Sequence, residues 1–129
     1  MTRVLIVDDN PDVRESFGVV CEVWGYEIAT AGDGAEALAL VAAFQPDVVV
    51  LDLGLPGDLD GPAVARRIRD TEGRRVFIVA LTGWTRPKDR RDALDAGVDV
   101  VYLKPPDLHE LKRTIALAEL NQQNAPRRS

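Results

Sequence analysis

Four of the five short apolar runs in this 129-residue chain end in a polar group, and that layout restricts the fold more than any other feature. Val4 to Val7 leads into Asp8-Asp9, Val48 to Leu51 into Asp52, Val76 to Leu81 into Thr82, and Val98 to Leu103 into Lys104. If the runs are parallel strands, their carboxyl ends share one edge of the sheet, where open α/β folds place ligands. Three carboxylates, a hydroxyl and an ammonium then converge on one cleft.

Segments of helical period separate the runs. Asn10-Pro11 reads as a cap followed by proline in the first turn, with Val13, Phe17, Val20 and Trp24 on one apolar face until Gly25 ends the helix. Asp33 stands three residues before Glu36, a capping-box spacing, and Ala37, Leu38, Val41 and Phe44 form the stripe behind it. Asp60-Gly61-Pro62 opens a third helix carrying Val64 and Ile68. A fourth, near Pro87 to Ala96, has only Ala93, Leu94 and Ala96 to anchor it before Gly97, so it is weakly held, as switching elements are. The fifth carries Leu108, Leu111, Ile115 and Ala118.

The fifth run, Tyr26 to Thr30, alternates apolar and polar residues as a half-buried edge strand does, while the others are continuous aliphatic runs buried on both faces. An edge position for the second strand predicts an α/β fold, doubly wound, with a five-stranded parallel sheet in the order 2-1-3-4-5 and helices on both faces. There is no internal repeat or linker. One domain over residues 1–120 is expected, followed by a polar, frayed tail over 121–129.

The net charge of −5 argues against nucleic acid as the main partner, and no apolar stretch approaches the length of a membrane span. The apolar N-terminus is too short for a signal peptide, so a cytoplasmic protein is expected. Cys21 is the only cysteine and falls in a helical apolar pattern, which points to the core.

Asp8, Asp9 and Asp52 in one cleft repel one another unless a cation neutralises them. Hard oxygen donors without an accompanying cysteine or histidine suit Mg²⁺ better than Zn²⁺. Lys104 supplies a point charge for an anion, and Thr82 a hydroxyl for a phosphoryl oxygen.

Taken together, the motifs resemble those of response-regulator receiver domains of bacterial two-component signalling, the CheY-like superfamily with its flavodoxin-like fold. Leu5-Ile6-Val7-Asp8-Asp9 resembles the opening acid pair, Asp47 to Leu53 the acceptor strand, and Leu55-Pro56 with Asp60-Gly61 the loop after it. Ala80-Leu81-Thr82-Gly83 and Lys104-Pro105 complete the set. The resemblance implies that Asp52 accepts a phosphoryl group from a phosphohistidine on a histidine kinase or histidine phosphotransfer protein. It implies Mg²⁺ bound by Asp9, Asp52 and the Gly54 backbone carbonyl, with Asp8 acting through metal-bound water. Lys104 contacts the phosphoryl group, Thr82 and the Gly83 amide follow it inward, and a cis peptide precedes Pro105.

Three features depart from the family pattern. Val101 stands where an aromatic residue commonly swings with the threonine, and strand alternation turns neighbouring Tyr102 to the opposite face. The usual coupling is then either absent or rerouted through Trp84, which reads equally as a loop residue packed against the fourth helix. The loop Gly57 to Gly61 is one residue longer than common, and Pro106 follows Pro105. Arg86, Lys88, Arg90 and Arg91 read as a solvated face because Asp89 and Asp92 interleave with them, and His109 reads as a surface residue.

The function these features predict is a stand-alone receiver, since Met1 directly precedes the first strand and nothing after Leu120 forms an output domain. It is not an enzyme acting on external substrates. Its downstream protein target is expected on the fourth helix, fifth strand and fifth helix, as a monomer or a phosphorylation-dependent dimer. A receiver from a hybrid kinase or larger regulator is the alternative. A Mg²⁺-dependent phosphohydrolase is the competing class, against which stand the lack of a cap domain and of an acid placed to protonate a leaving group. A degenerate receiver would have lost its acceptor, threonine or lysine, and none is lost.

Overall fold

The computed structural model describes residues 1–83 and 86–124. Five strands, β1 (Arg3–Val7), β2 (Glu27–Ala31), β3 (Val48–Asp52), β4 (Phe77–Thr82) and β5 (Val100–Leu103), form one parallel sheet in the order β2-β1-β3-β4-β5. Five helices, α1 (Pro11–Val23), α2 (Gly34–Phe44), α3 (Gly61–Glu72), α4 (Pro87–Asp95) and α5 (Leu108–Asn124), cover both faces. The doubly wound order expected from the half-buried edge strand is therefore the order found.

Strand alternation divides the core into two layers. Leu5, Val7, Val49, Leu51, Ile78, Ala80 and Val101 pack against buried residues of α2, α3 and α4. Their neighbours Val4, Ile6, Val48, Val50, Val79 and Leu81 pack against Cys21 of α1 and Leu111, Ile115 and Ala118 of α5.

The helix starts form as their capping residues predict. The Asn10 side chain accepts from the Asp12 and Val13 amides with Pro11 in the first turn, Asp33 accepts from Glu36 N at 2.8 Å, and Asp60 from Ala63 N at 3.0 Å. Glu36 completes its box one residue further back than the usual pattern, accepting from Gly32 N.

Three placements differ from expectation. Leu94 is 43% exposed, so among the described residues Ala93, with Ala96 at the C-cap, is what α4 buries in the core. Leu108 is 44% exposed because it stands on the first turn of α5, ahead of the three buried residues of the stripe. The helix also continues four residues past Leu120 to Asn124, since extending a formed helix gains one backbone hydrogen bond per residue fixed. Among the described residues, no helix is long and apolar enough to cross a membrane.

Candidate functional site

Register aligns the functional residues. Val7 lies opposite Leu51, so one further step along each strand brings Asp8 beside Asp52, while Asp52 pairs with Leu81 and Thr82 with Leu103. The Lys104 amide then donates to the Thr82 carbonyl at 2.7 Å, and the Lys104-Pro105 peptide is cis. The polar ends of four strands thus meet at one edge.

Carboxylate oxygens of Asp8, Asp9 and Asp52 lie within 4.8 Å of one another. Asp8 and Asp52 are buried and Asp9 is exposed, so the cluster opens to solvent on the Asp9 side. Lys104 Nζ stands 3.1 Å from both Asp8 Oδ2 and Asp52 Oδ1, bridging the two buried acids. Burial works against the ammonium, but hydrogen bonds to Asp52 and Asp8 outweigh it and hold the Lys104 pKa above its ordinary value.

The backbone reinforces this charge balance. Asp8 Oδ1 accepts from Asn10 N and Asp52 Oδ1 from Gly54 N, each at 2.9 Å, which fixes both side chains on the turns that follow their strands. Both Asp8 oxygens are therefore engaged, whereas the bonds to Asp52 fall on Oδ1 alone among the described residues. Thr82 is buried at the end of β4, and Gly83 beside it has open space where a Cβ would stand.

Two residues support the site in ways that the sequence did not indicate. Arg14 Nη1 donates to the Asp8 carbonyl at 2.8 Å, tying α1 to the turn that carries the acid pair. Gly61 sits so close to β3 that a Cβ would stand 2.5 Å from Leu53 Cα, which makes glycine necessary where α3 begins. The glycine after the Asp60 cap was its only sequence signal. Arg14 carries no such signal, because its partner is a backbone oxygen in a turn.

Val101 is 5% exposed in the same core layer as Ala93 and Ala96, while Tyr102 faces the other layer and its hydroxyl bonds Thr114 Oγ1 of α5. The opposite facing expected from alternation is thus present. Trp84 lies outside the described residues. The loop from Gly57 to Gly61 inserts Leu59 against the core, beside Gly34. Arg86 pairs with Asp89 at 2.8 Å and Lys88 with Asp92 at 3.4 Å on exposed ground, as a solvated face does. His109 is exposed on α5.

The model of the response regulator receiver domain matches residues 4–116. The chain belongs to that family. Transcriptional regulatory protein KdpE of Mycobacterium tuberculosis is 38% identical over 130 residues, covering 95% of this chain and 56% of its own length. Response regulator MprA of Mycolicibacterium vanbaalenii is 44% identical over 109 residues, covering 84% and 46%. The chain spans about half the length of these curated relatives. Among solved structures, a CheY-like receiver domain protein of Methanospirillum hungatei matches with a TM-score of 0.89 at 25% identity, over 96% of this chain and 98% of that one. Vibrio cholerae chemotaxis protein CheY4 matches at 0.83 and 28%, over 92% and 98%. Membership gives this receiver its general role, that of a phospho-acceptor module in two-component signalling.

Proposed function

We propose that Asp52 is the acceptor and that the phosphoryl group arrives from a phosphohistidine on a histidine kinase or a histidine phosphotransfer protein. The observation that carries this is the Lys104 ammonium held 3.1 Å from both Asp52 and Asp8, the two buried members of a three-carboxylate cluster. In the transfer, the P–N bond to the donor imidazole breaks as a P–O bond to the Asp52 carboxylate forms, and the imidazole leaves. Asp52 Oδ1 is bonded to Gly54 N and Lys104, so Oδ2 is the oxygen assigned to attack.

The donor set suits Mg²⁺: three carboxylates, no sulfur or imidazole, and an open side at Asp9. Asp9, Asp52 and the Gly54 carbonyl would hold it, with Asp8 acting through water because both its oxygens are already engaged. Bound there, Mg²⁺ supplies positive charge for the phosphoryl oxygens. Lys104 supplies the second positive charge and orients the group in line with Asp52. Thr82 and the Gly83 amide then draw toward the new oxygens, shifting α4 between two populations through Ala93 and Ala96, which share a core layer with Val101. The readout surface assigned to this shift is α4, β5 and α5. A buried lone cysteine, unable to form an internal disulfide, goes with the reducing cytoplasm.

Intact-mass measurement with Mg²⁺ and a small phosphodonor tests the assignment. Gain of one phosphoryl group by the native chain and none by Asp52→Asn is the expected result. Equal uptake by both would move the acceptor elsewhere, and multiple turnover of the donor as a general phosphoester would favour a hydrolase.

A further inference from the structure

We infer that Arg14 is a positioning residue for the Mg²⁺ site, acting on Asp9 through the peptide that joins it to Asp8; the inference rests on the metal reading proposed above. Asp9 is the exposed member of the cluster, and among the described residues no hydrogen bond holds its carboxylate. Its direction therefore depends on its backbone. The Asp8 carbonyl, which accepts from Arg14 Nη1 at 2.8 Å, lies in the same rigid peptide plane as the nitrogen and Cα of Asp9. The Asp8 amide is held as well, donating to the Ala31 carbonyl at 3.1 Å. With both backbone groups of Asp8 engaged, the peptide plane cannot turn, and Asp9 leaves it in a fixed direction.

Helix stability does not call for a cation at this position. Arg14 is the only cation of α1 and stands near its N-terminus, where the helix dipole favours acids. Among the described residues it forms no ion pair, although the acid pair is close by. Its guanidinium lies instead across Gly32, in the loop between β2 and α2. A Cβ on Gly32 would stand 2.9 Å from Arg14 Nη1 and 3.4 Å from Cζ. Gly32 is not among the glycines of positive φ, so its backbone does not demand glycine. What the glycine provides is room for the guanidinium. The Gly32 slot and the Asp8 carbonyl together fix one donor from two sides.

Charge and position make opposite predictions for the metal. A guanidinium near the acids repels Mg²⁺, so a purely electrostatic role predicts tighter binding when it is removed. A positioning role predicts weaker binding, since groups that orient metal ligands contribute about tenfold or more in affinity.

Isothermal titration calorimetry of Mg²⁺ into the full chain, with urea melts of each metal-free variant, separates the two. Arg14→Met is expected to weaken Mg²⁺ binding by about tenfold. Arg14→Lys keeps the charge and one donor, and should recover most of that loss. Gly32→Ala keeps every hydrogen-bonding group and displaces only the guanidinium, so it should weaken binding in the same direction without lowering the urea midpoint. Combined with Arg14→Met it should add nothing, because both substitutions act through one contact. Unchanged or tighter binding by Arg14→Met, no recovery with lysine, or additive losses in the double variant would overturn the inference and leave the metal reading intact. No Mg²⁺ binding by the native chain would overturn the metal reading itself, and the inference with it.

Discussion

Helices α3 and α4 flank the same core layer and are held in opposite ways. Three residues of α3 with side chains in the core, Val64, Ala65 and Ile68, are buried, its start is capped by Asp60, and Gly61 presses against β3. Its far end is tied down by Arg69, which donates to the Gly73, Val76 and Gly97 carbonyls and pairs with Asp99 at 2.7 Å. Burial lowers the Arg69 pKa, and the Asp99 carboxylate opposes that shift. Between its ends α4 buries only Ala93, and Arg86 at its start offers no side-chain cap. Gly97, just past α4, has a φ of +106° and accepts one of the Arg69 bonds, so the loose helix is pinned at its C-terminal end, while its first turn has no side-chain cap. A helix fixed at one end can swing at the other without disturbing the sheet beneath it.

The largest expected effect comes from truncating the held helix. Ile68→Ala removes a fully buried side chain and should destabilise the chain by about 2–5 kcal/mol, whereas Leu94→Ala on α4 should change stability by less than about 0.5 kcal/mol. Urea melts of the two variants measure the difference. Comparable losses would mean that α4 contributes to the core as α3 does, and the contrast would fail.

Caps provide a smaller and reversible handle. Asp60→Ala should remove about 1 kcal/mol from α3, and Arg86→Ser should add several tenths of a kcal/mol to α4 by supplying an acceptor for its open N–H groups. Amide hydrogen exchange resolves the two helices separately. Slower exchange confined to α4 in Arg86→Ser would show that the missing cap is part of what leaves this helix loose.

How much of this contrast is visible in the sequence depends on the range of the signal. Asn10, Asp33 and Asp60 lie within three residues of the amides they cap, so their role is written locally, as is the burial of strands that are aliphatic throughout. The convergence of Asp8, Asp9, Asp52 and Lys104 was also legible, because parallel strands of known order leave their carboxyl ends no other edge. Leu94 and Leu108 were not, since helical spacing gives a face without saying how far the neighbouring layer extends over it. The Arg69–Asp99 pair spans 30 residues and joins two charged residues with ordinary surface character, and only the closed sheet brings them together. The weakness of α4 was legible as scarcity of apolar residues, but its fixed end was not.

The smallest effect tests the site that the loose helix serves. The Lys104 pKa is raised in the fold by Asp52 and Asp8 despite burial, so folding favours the ammonium form. The resulting stabilisation is complete below the ordinary lysine pKa of about 10.5 and is lost as pH rises through the higher folded value. Lys104→Met lacks that contribution at every pH. The stability gap between native chain and variant should therefore be constant up to about pH 10 and narrow above it. Cys21, whose thiol burial pushes up to about 11, and Tyr26, raised chiefly by burial, titrate in the same alkaline region. Both are present in each protein and cancel in the difference, which leaves Lys104 as the source of the change. A gap that stays constant through the alkaline range would show that Lys104 is held by the geometry of its turn and not by the two carboxylates it bridges.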